Sequence, residues 1–439
     1  MKIIKNKIYI VVLLATLQGF SQEILTKKEA LKITLENNFG IKIANNNLEV
    51  AKNNTSIYNS GFLPTAAISS GANYNNSNQN ITRQDGTSTS IEGAVTKSYN
   101  ASLSLNYTIF DGLGRKYNYQ QLKETYNLSE LQARETIENT YLQLFTSYFQ
   151  IARLSENTDN LKEALSISKQ RLQRAKYQYE YGQSTKLELL NAEVDVNNDN
   201  IALINAEQLL SNAKRNLNVI LGSKKDVNYN VETQVEFINI MNFTDLEQKT
   251  LANNSVLKQN EKNIAISEFN IKINKSNYMP SLGLSTSYGW NKSENPATSF
   301  LAGSTSTGLN AGLSLSWSLF DGGSTKTRVA NAKIALDNQQ ILLEQQKVTI
   351  QNTLKNTWNT YQSQLFIIKA NEQNVLTTQN NFERSNERYK LGQITSIEFR
   401  QAQINLINSK TALNNAKFDT KLIELQLLQL SGDILNVKF

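Results

Sequence analysis

The segment LSLNYTIFDG at residues 103–112 returns as LSLSWSLFDG at residues 313–322. In and around both segments, apolar and small polar residues alternate. In the first, Tyr99, Ala101, Leu103, Leu105, Tyr107 and Ile109 share one face, and Asn100, Ser102, Ser104, Asn106 and Thr108 share the other. In the second, Leu309, Ala311, Leu313, Leu315, Trp317 and Leu319 oppose Asn310, Gly312, Ser314, Ser316 and Ser318. A period of two sustained this long reads as a strand with one face in lipid and the other in water. Ten residues tilted by about 45° rise about 23 Å, close to the apolar band of an outer membrane. Tyr74, Tyr107, Tyr288, Trp290 and Trp317 are placed to form aromatic girdles. An ordinary half-buried sheet would also alternate, but it does not account for the flanking sequence.

Each strand segment belongs to a duplicated plan. TLENN at 34–38 matches TLANN at 250–254, GFLPT at 61–65 matches NYMPS at 277–281, and YEYGQSTKLELLNAE from Tyr179 matches YKLGQITSIEFRQAQ from Tyr389. Gly222 and Gly432 close the two halves. Matched positions lie 216 apart before the prolines and 210 apart from Phe-Asp-Gly onward. The six-residue difference falls in a Ser/Thr/Asn/Gly-rich stretch at 75–97, expected to be an exposed loop. Each half therefore reads helix, strand, loop, strand, helix, turn, helix. The expected boundaries are 22–222 for the first repeat, with strands within 65–110 and a turn near 182. A linker follows at 223–243. The second repeat is 244–439, with strands within 281–319 and a turn near 392.

The helices are long and carry heptad seams. Between Pro64 and Pro280 there is no proline. Ile137, Tyr141, Leu144, Tyr148 and Ile151 alternate spacings of four and three, Leu336, Leu343 and Ile350 recur every seven, and so do Leu187, Val194 and Ile201. A helix from 112 to 179 reaches about 100 Å. Pro64 and Pro280 stand where a helix stops and a strand begins, a place that tolerates the missing N–H. Asp111-Gly112 and Asp321-Gly322 stand between strand and helix, where the carboxylate is expected to cap the helix. Thr185-x-x-Glu188 and Thr395-x-x-Glu398 read as capping boxes, and Gly182 and Gly392 as helix terminators with positive φ.

Composition narrows the chemistry. The chain lacks His and Cys, which removes the commonest general base, disulfides and the usual soft metal ligands. No P-loop is present, so ATP hydrolysis is not expected, and no catalytic, cofactor or metal site is expected. The +7 formal charge includes Lys2, Lys5 and Lys7. These precede the apolar run 8–17, and small residues stand at Gly19 and Ser21, so residues 1–21 read as an export signal. Only 39% of the residues are hydrophobic, which suits thin walls with two wetted surfaces. An exported chain with this small an excess of charge is not expected to bind nucleic acid.

Four strands cannot close a barrel, and an open edge cannot sit in lipid. Two copies give eight strands, which side chains fill, whereas three give twelve and leave a passage. The whole mature chain resembles the TolC-type outer-membrane efflux proteins. The likeness rests on the duplicated halves, the proline before each first strand, Phe-Asp-Gly after each second strand, and the Tyr-x-x-Gly turns. The resemblance implies a homotrimer in the outer membrane, with a twelve-stranded β-barrel continuing into a helical coiled-coil barrel across the periplasm. It also implies a periplasmic adaptor protein and an inner-membrane pump as partners. Turns at Tyr179–Gly182 and Tyr389–Gly392 would form the periplasmic tip. Glu398 keeps a carboxylate found at the family's entrance, whereas Gln401 replaces a second one. Glu188 is implied as a partner of Tyr389, and Ile394 stands where one family member has an arginine latch.

The expected function is a passive export duct for efflux or type I secretion, not an enzyme. Leu103, Leu105, Tyr107, Leu313, Leu315 and Trp317 would face lipid. The rival is a trimeric coiled-coil structural or adhesive surface protein, which explains the heptads but not the duplicated strand pairs. A carboxylate-based hydrolase is a weaker rival, because the acids are spread along helix faces as solvated charges usually are.

Overall fold

The computed structural model describes residues 24–225, 227–238 and 242–437. The expected export signal lies outside them, as do a few residues of the linker. The chain divides into two compact units. One holds residues up to 46, 131–258 and from 344 onward; the other holds 47–130 and 259–343. Among the described residues no helix is long and apolar enough to cross a membrane.

The first half runs β1 (Ile24–Leu25), α1 (Lys27–Asn37), α2 (Phe39–Asn54), β2 (Thr65–Thr82), β3 (Ser88–Asp111), α3 (Gly114–Glu180) and α4 (Lys186–Ile220). The second runs β4 (Asn230–Val231), α5 (Phe243–Asn253), α6 (Ser255–Ser276), β5 (Ser281–Glu294), β6 (Gly303–Ser316), α7 (Ser324–Lys390) and α8 (Ser396–Leu430). α3 and α7 each have 67 residues.

In the first unit the duplicated motifs do the same work twice. Asn38 breaks the entry helix into α1 and α2. Its Oδ1 accepts from the Ile41 N–H at 3.1 Å, and its Nδ2 donates to the Ile220 carbonyl at 2.8 Å. Asn254 repeats this between α5 and α6, accepting from Val256 and Leu257 and donating to the Leu430 carbonyl at 3.0 Å. One side chain thus caps a helix start and satisfies an orphan carbonyl at another helix's end. Gly222 and Gly432 follow those ends with φ of 68° and 73°. A Cβ at Gly222 would lie 2.3 Å from the Asn37 carbonyl oxygen, and one at Gly432 2.8 Å from that of Asn253.

The core of this unit is aromatic. Tyr141, Phe145, Tyr148 and Phe149 on α3 pack with Leu217 of α4 and with Phe418 and Leu425 of α8. The Tyr148 hydroxyl donates to the Leu25 carbonyl at 2.7 Å and accepts from the Glu232 N–H at 3.0 Å, tying the parallel β1–β4 pair to α3. Residues 236–238 are pinned to α8 by a buried ion pair. Lys421 meets the Glu424 carboxylate and donates to the Glu236 carbonyl, while Glu424 accepts from the Ile238 N–H. α3 and α8 also meet through Arg153–Asp419 and Gln403 to Ala164. α4 flanks α3 and α7 flanks α8, through Asp195–Arg171 and Thr378–Ser409 respectively. The α3 seam at Tyr141, Leu144, Tyr148 and Ile151 is buried, but Leu187, Val194 and Ile201 on α4 are exposed by 55% or more. That seam points out of the chain.

In the second unit a single antiparallel sheet runs β2-β3-β5-β6. The 75–97 stretch is a correction to the loop expected there, since β2 and β3 extend into it as a hairpin and leave only residues 83–87 as the turn. This outer hairpin is mostly polar, and its few apolar residues show no sustained two-residue period that could reveal it. β6 ends at Ser316, short of residue 319, so Trp317 follows the strand, and its indole N–H donates to the Tyr278 carbonyl at 3.0 Å. At the strand–helix junctions, Asp111 accepts from the Arg115 N–H at 2.9 Å and Asp321 from the Thr325 N–H at 2.8 Å.

Ala at Gly222 meets both a left-handed backbone and a carbonyl. Gly222→Ala should therefore lose more stability than the roughly 1–2 kcal/mol that left-handed geometry alone imposes. Gly182→Ala, with open space around it, should lose about that amount. Thermal unfolding of the two variants measures the difference.

Candidate functional site: a two-faced sheet and a paired helical tip

Residues paired across an antiparallel sheet put their side chains on the same face, so the register sorts this sheet into rows. One face carries Ala66–Leu105–Thr286–Ala311, then Ile68–Leu103–Tyr288–Leu309, then Ser70–Ala101–Trp290–Thr307. On its other side the row Tyr107–Leu284–Leu313 leads to Leu282–Leu315. Most of these large apolar side chains are exposed, with Leu313 68% and Leu315 71% exposed, while Leu282 and Leu284 are half-buried. The opposite face carries Thr65–Asn106–Ser285–Gly312, Ala67–Ser104–Ser287–Asn310, Ser69–Ser102–Gly289–Gly308 and Gly71–Asn100–Asn291–Ser306. Here hydroxyls bond across strands, as in Ser69–Ser102 at 2.9 Å. An apolar patch this continuous on a chain's exterior marks a surface built to be covered by lipid or protein.

The two tip turns come together in the first unit. Gly182 and Gly392 adopt φ of 70° and 72°. Gln183 N–H returns to the Gln178 carbonyl at 2.7 Å and Gln393 N–H to that of Arg388 at 2.8 Å, which closes each helix end. The Arg174 guanidinium donates to the Lys390 carbonyl at 2.8 Å and lies over the Tyr389 ring, which stacks on Phe399 at 4.9 Å between centroids. A cleft of about 320 Å³ is lined by Glu188, Tyr389, Gly392, Thr395 and Glu398, with Gln178 and Gln183 among others. Tyr179 and Gln401 are not among its lining residues; Gln401 bonds Asn405 on its own helix.

The two expected capping boxes differ. Thr395 and Glu398 bond reciprocally: the Glu398 N–H donates to the Thr395 hydroxyl, and the Thr395 N–H donates to the Glu398 carboxylate at 2.8 Å. Thr185 accepts from the Glu188 N–H, but the Glu188 carboxylate turns to the Ser184 hydroxyl instead. Glu188 and Tyr389 share the cleft, yet no hydrogen bond joins them among the described residues. The Thr395 N–H and hydroxyl hold the Glu398 carboxyl below its ordinary value.

A buried charge cluster beside this tip went unread in the sequence. Arg400 of α8 forks onto Asp199 of α4, at 2.6 and 2.8 Å, and also donates to Ser168 of α3 and to Gln403. Arg171 of α3 is paired with Asp195 of α4, and burial pulls its guanidinium below its ordinary value. The signal was a break in the duplication. Arg400 stands where the first half has Leu190, and Asp195 and Asp199 lie one helical turn apart.

The model of the outer membrane efflux protein family matches this chain twice, at residues 30–223 and 246–433. The chain belongs to that family. It is 20% identical over 315 residues to outer membrane protein TolC of Vibrio cholerae, covering 70% of each chain. It is 19% identical to outer membrane efflux protein BepC of Brucella suis, covering 94% of this chain and 88% of the relative. Its fold is similar to the Campylobacter jejuni CmeC outer membrane channel, with a TM-score of 0.79 at 17% identity, covering 93% and 86% of the two chains. The chain is thus an outer-membrane channel of the efflux and type I secretion class that extends into the periplasm, and the family is one of ducts rather than enzymes.

Removing Arg400 leaves Asp199 buried with the Ser168 hydroxyl but without its counter-charge. Arg400→Met should lower stability by on the order of 3–5 kcal/mol, read by thermal unfolding. The Glu398 cap has the opposite sensitivity, to acid. Its carboxyl is depressed in the folded state, so its contribution is complete above the ordinary value of 4.5 and is lost as pH falls through the lower folded value. The protection factor of the Thr395 amide, corrected for the intrinsic pH dependence of exchange, should fall in that acid window, and Glu398→Gln should flatten that change.

Proposed function

We propose that three copies of this chain close a passive duct. An inner-membrane pump drives cargo through it, and a periplasmic adaptor engages the tip. The carrying observation is that β2 and β6 each have one unpaired edge while the sheet's apolar face is bare. In hydrocarbon every strand N–H and C=O needs a partner, so the edges must meet on other copies.

The duplication supports this closure. β3 ends in one of the near-identical decapeptides and β6 runs into the other, yet within one chain β3 is central and β6 is an edge. If β6 pairs with β2 of the next copy, each lies between a β2-type and a β5-type strand, and the two repeats become equivalent. The helices follow the same logic. α4 exposes Leu187, Leu190, Val194, Ile201 and Ile204, and α7 exposes Ile334, Ile341 and Val348 at heptad spacing. Each outer helix offers a seam to a neighbouring copy. The polar face bears Gly, Ala, Ser, Thr and Asn, and the other face bears Leu, Tyr and Trp. Such a sheet curls most easily with the small face inward, toward water.

At the tip, Glu398 and Glu188 line one cleft in each copy. Three copies place their carboxylates around the entrance, where acidic rings favour cations. Gln401 contributes no charge. The Tyr179–Gly182 and Tyr389–Gly392 turns are the adaptor's docking end, and the cargo is selected by pump and adaptor.

Purified chain should migrate at three times its mass after crosslinking and should give stepwise conductance in planar bilayers. Glu398→Gln should reduce cation preference and leave the crosslinked species unchanged. A trimer with no conductance would instead favour the adhesive coiled-coil reading.

A further inference from the structure

The polar face of the sheet has a property that its strand period alone does not require. Five consecutive rows, from Thr65–Asn106–Ser285–Gly312 to Asn73–Ser98–Ser293–Ser304, contain no ionisable side chain, and the largest side chain among them is Asn. Nor does any apolar side chain larger than Ala appear there. The strands are not devoid of charge over this stretch. Lys97, Lys292 and Glu294 fall within the same paired span, and the register puts all three on the opposite face, with Tyr74 and Tyr99. Lys292 and Glu294 pair there at 3.0 Å.

We infer that the membrane section of this duct is a charge-free sleeve that does not select cargo by sign, so that ion selectivity arises elsewhere along the pathway. This inference rests on the duct reading above. In a passage wide enough for ions to keep their water, selection by sign needs a fixed charge, and adsorption of an amphipathic solute needs apolar area. A lining of hydroxyls, amides and glycine hydrogens offers neither. The cargo class this section suits is large and hydrated, of either sign, passing without a binding step.

The test places one carboxylate on each face. Asn100 and Asn310 are polar-face residues that accept an isosteric Asp, and Thr305 lies on the other face, paired with Lys292. The full chain is reconstituted in planar bilayers under a KCl gradient centred near 0.1 M, where the Debye length is about 10 Å. Asn100→Asp and Asn310→Asp should each raise the K⁺ over Cl⁻ permeability ratio by about twofold or more. The shift should vanish near 1 M, where screening falls to about 3 Å. Thr305→Asp should leave the ratio at the wild-type value. Conducting Asn100→Asp and Asn310→Asp channels with an unchanged ratio would overturn the inference while leaving the duct intact, and so would a larger shift from Thr305→Asp. A wild-type chain that never conducts would overturn the duct reading and this inference with it.

Discussion

A peptide N–H inside hydrocarbon has no water to bond, and leaving it unpaired costs several kcal/mol. That requirement governs this molecule. β3 and β5 are paired on both sides, β2 and β6 on one, so a single chain satisfies the demand for only part of its sheet. In the duct proposed above, closure passes to other copies, and that closure would account for the strictness of the alternation. A one-residue slip of any strand would move its apolar residues to the polar face and its small polar residues to the apolar face. The helical layer meets a milder form of the same constraint. α4 and α7 leave apolar seams bare, and the symmetry proposed to join the sheet edges would cover them.

The duplication is retained where geometry leaves no alternative and abandoned where the two halves face different surroundings. Asn38 and Asn254 each cap one helix and terminate another, the short amide supplying an acceptor and a donor on separate atoms. Gly222 and Gly432 survive because a Cβ there would strike a carbonyl. By contrast, Leu190 on the outer helix α4 becomes Arg400 on the inner helix α8. Leu190 is exposed for a neighbour to cover, while Arg400 is turned into its own chain. Equivalent positions in sequence need not have equivalent neighbours in one chain, and the residue types follow the neighbours.

What the sequence disclosed was whatever depends on local period. The strand faces, the caps at Asp111, Asp321 and Thr395, and the left-handed glycines at the tip all follow from residues within one turn or one strand. The outer hairpin at 75–97 was hidden because its residues are mostly polar and its few apolar ones, Ile81, Ile91, Ala94 and Val95, show no sustained two-residue period. The half-formed cap at Glu188 was hidden because Ser184, one residue outside the motif, competes for its carboxylate. The Arg400 cluster was hidden for a different reason. Its bonds join residues as far as 232 apart, and charges spaced along a helix look solvated until the partner helix is placed.

That cluster also bears on why the tip has a defined geometry at all. α3, α4 and α8 are polar helices with narrow apolar seams, and a heptad seam by itself tolerates a shift of one turn or one heptad at modest loss. A bidentate guanidinium–carboxylate fork resists such a shift, since a displaced Arg400 would leave Asp199 without its counter-charge or compete with Arg171 for Asp195. Arg400 on Asp199 and Arg171 on Asp195 therefore fix α8 at one height against α3 and α4. Only at that height does Gln403 reach the Ala164 carbonyl, and only there do the two turns align so that Arg174 bonds Lys390 and Glu188, Tyr389 and Glu398 share one cleft. The cleft carboxylates of Glu188 and Glu398 are exposed and carry little binding energy of their own. Their positions depend on the buried charges beside them.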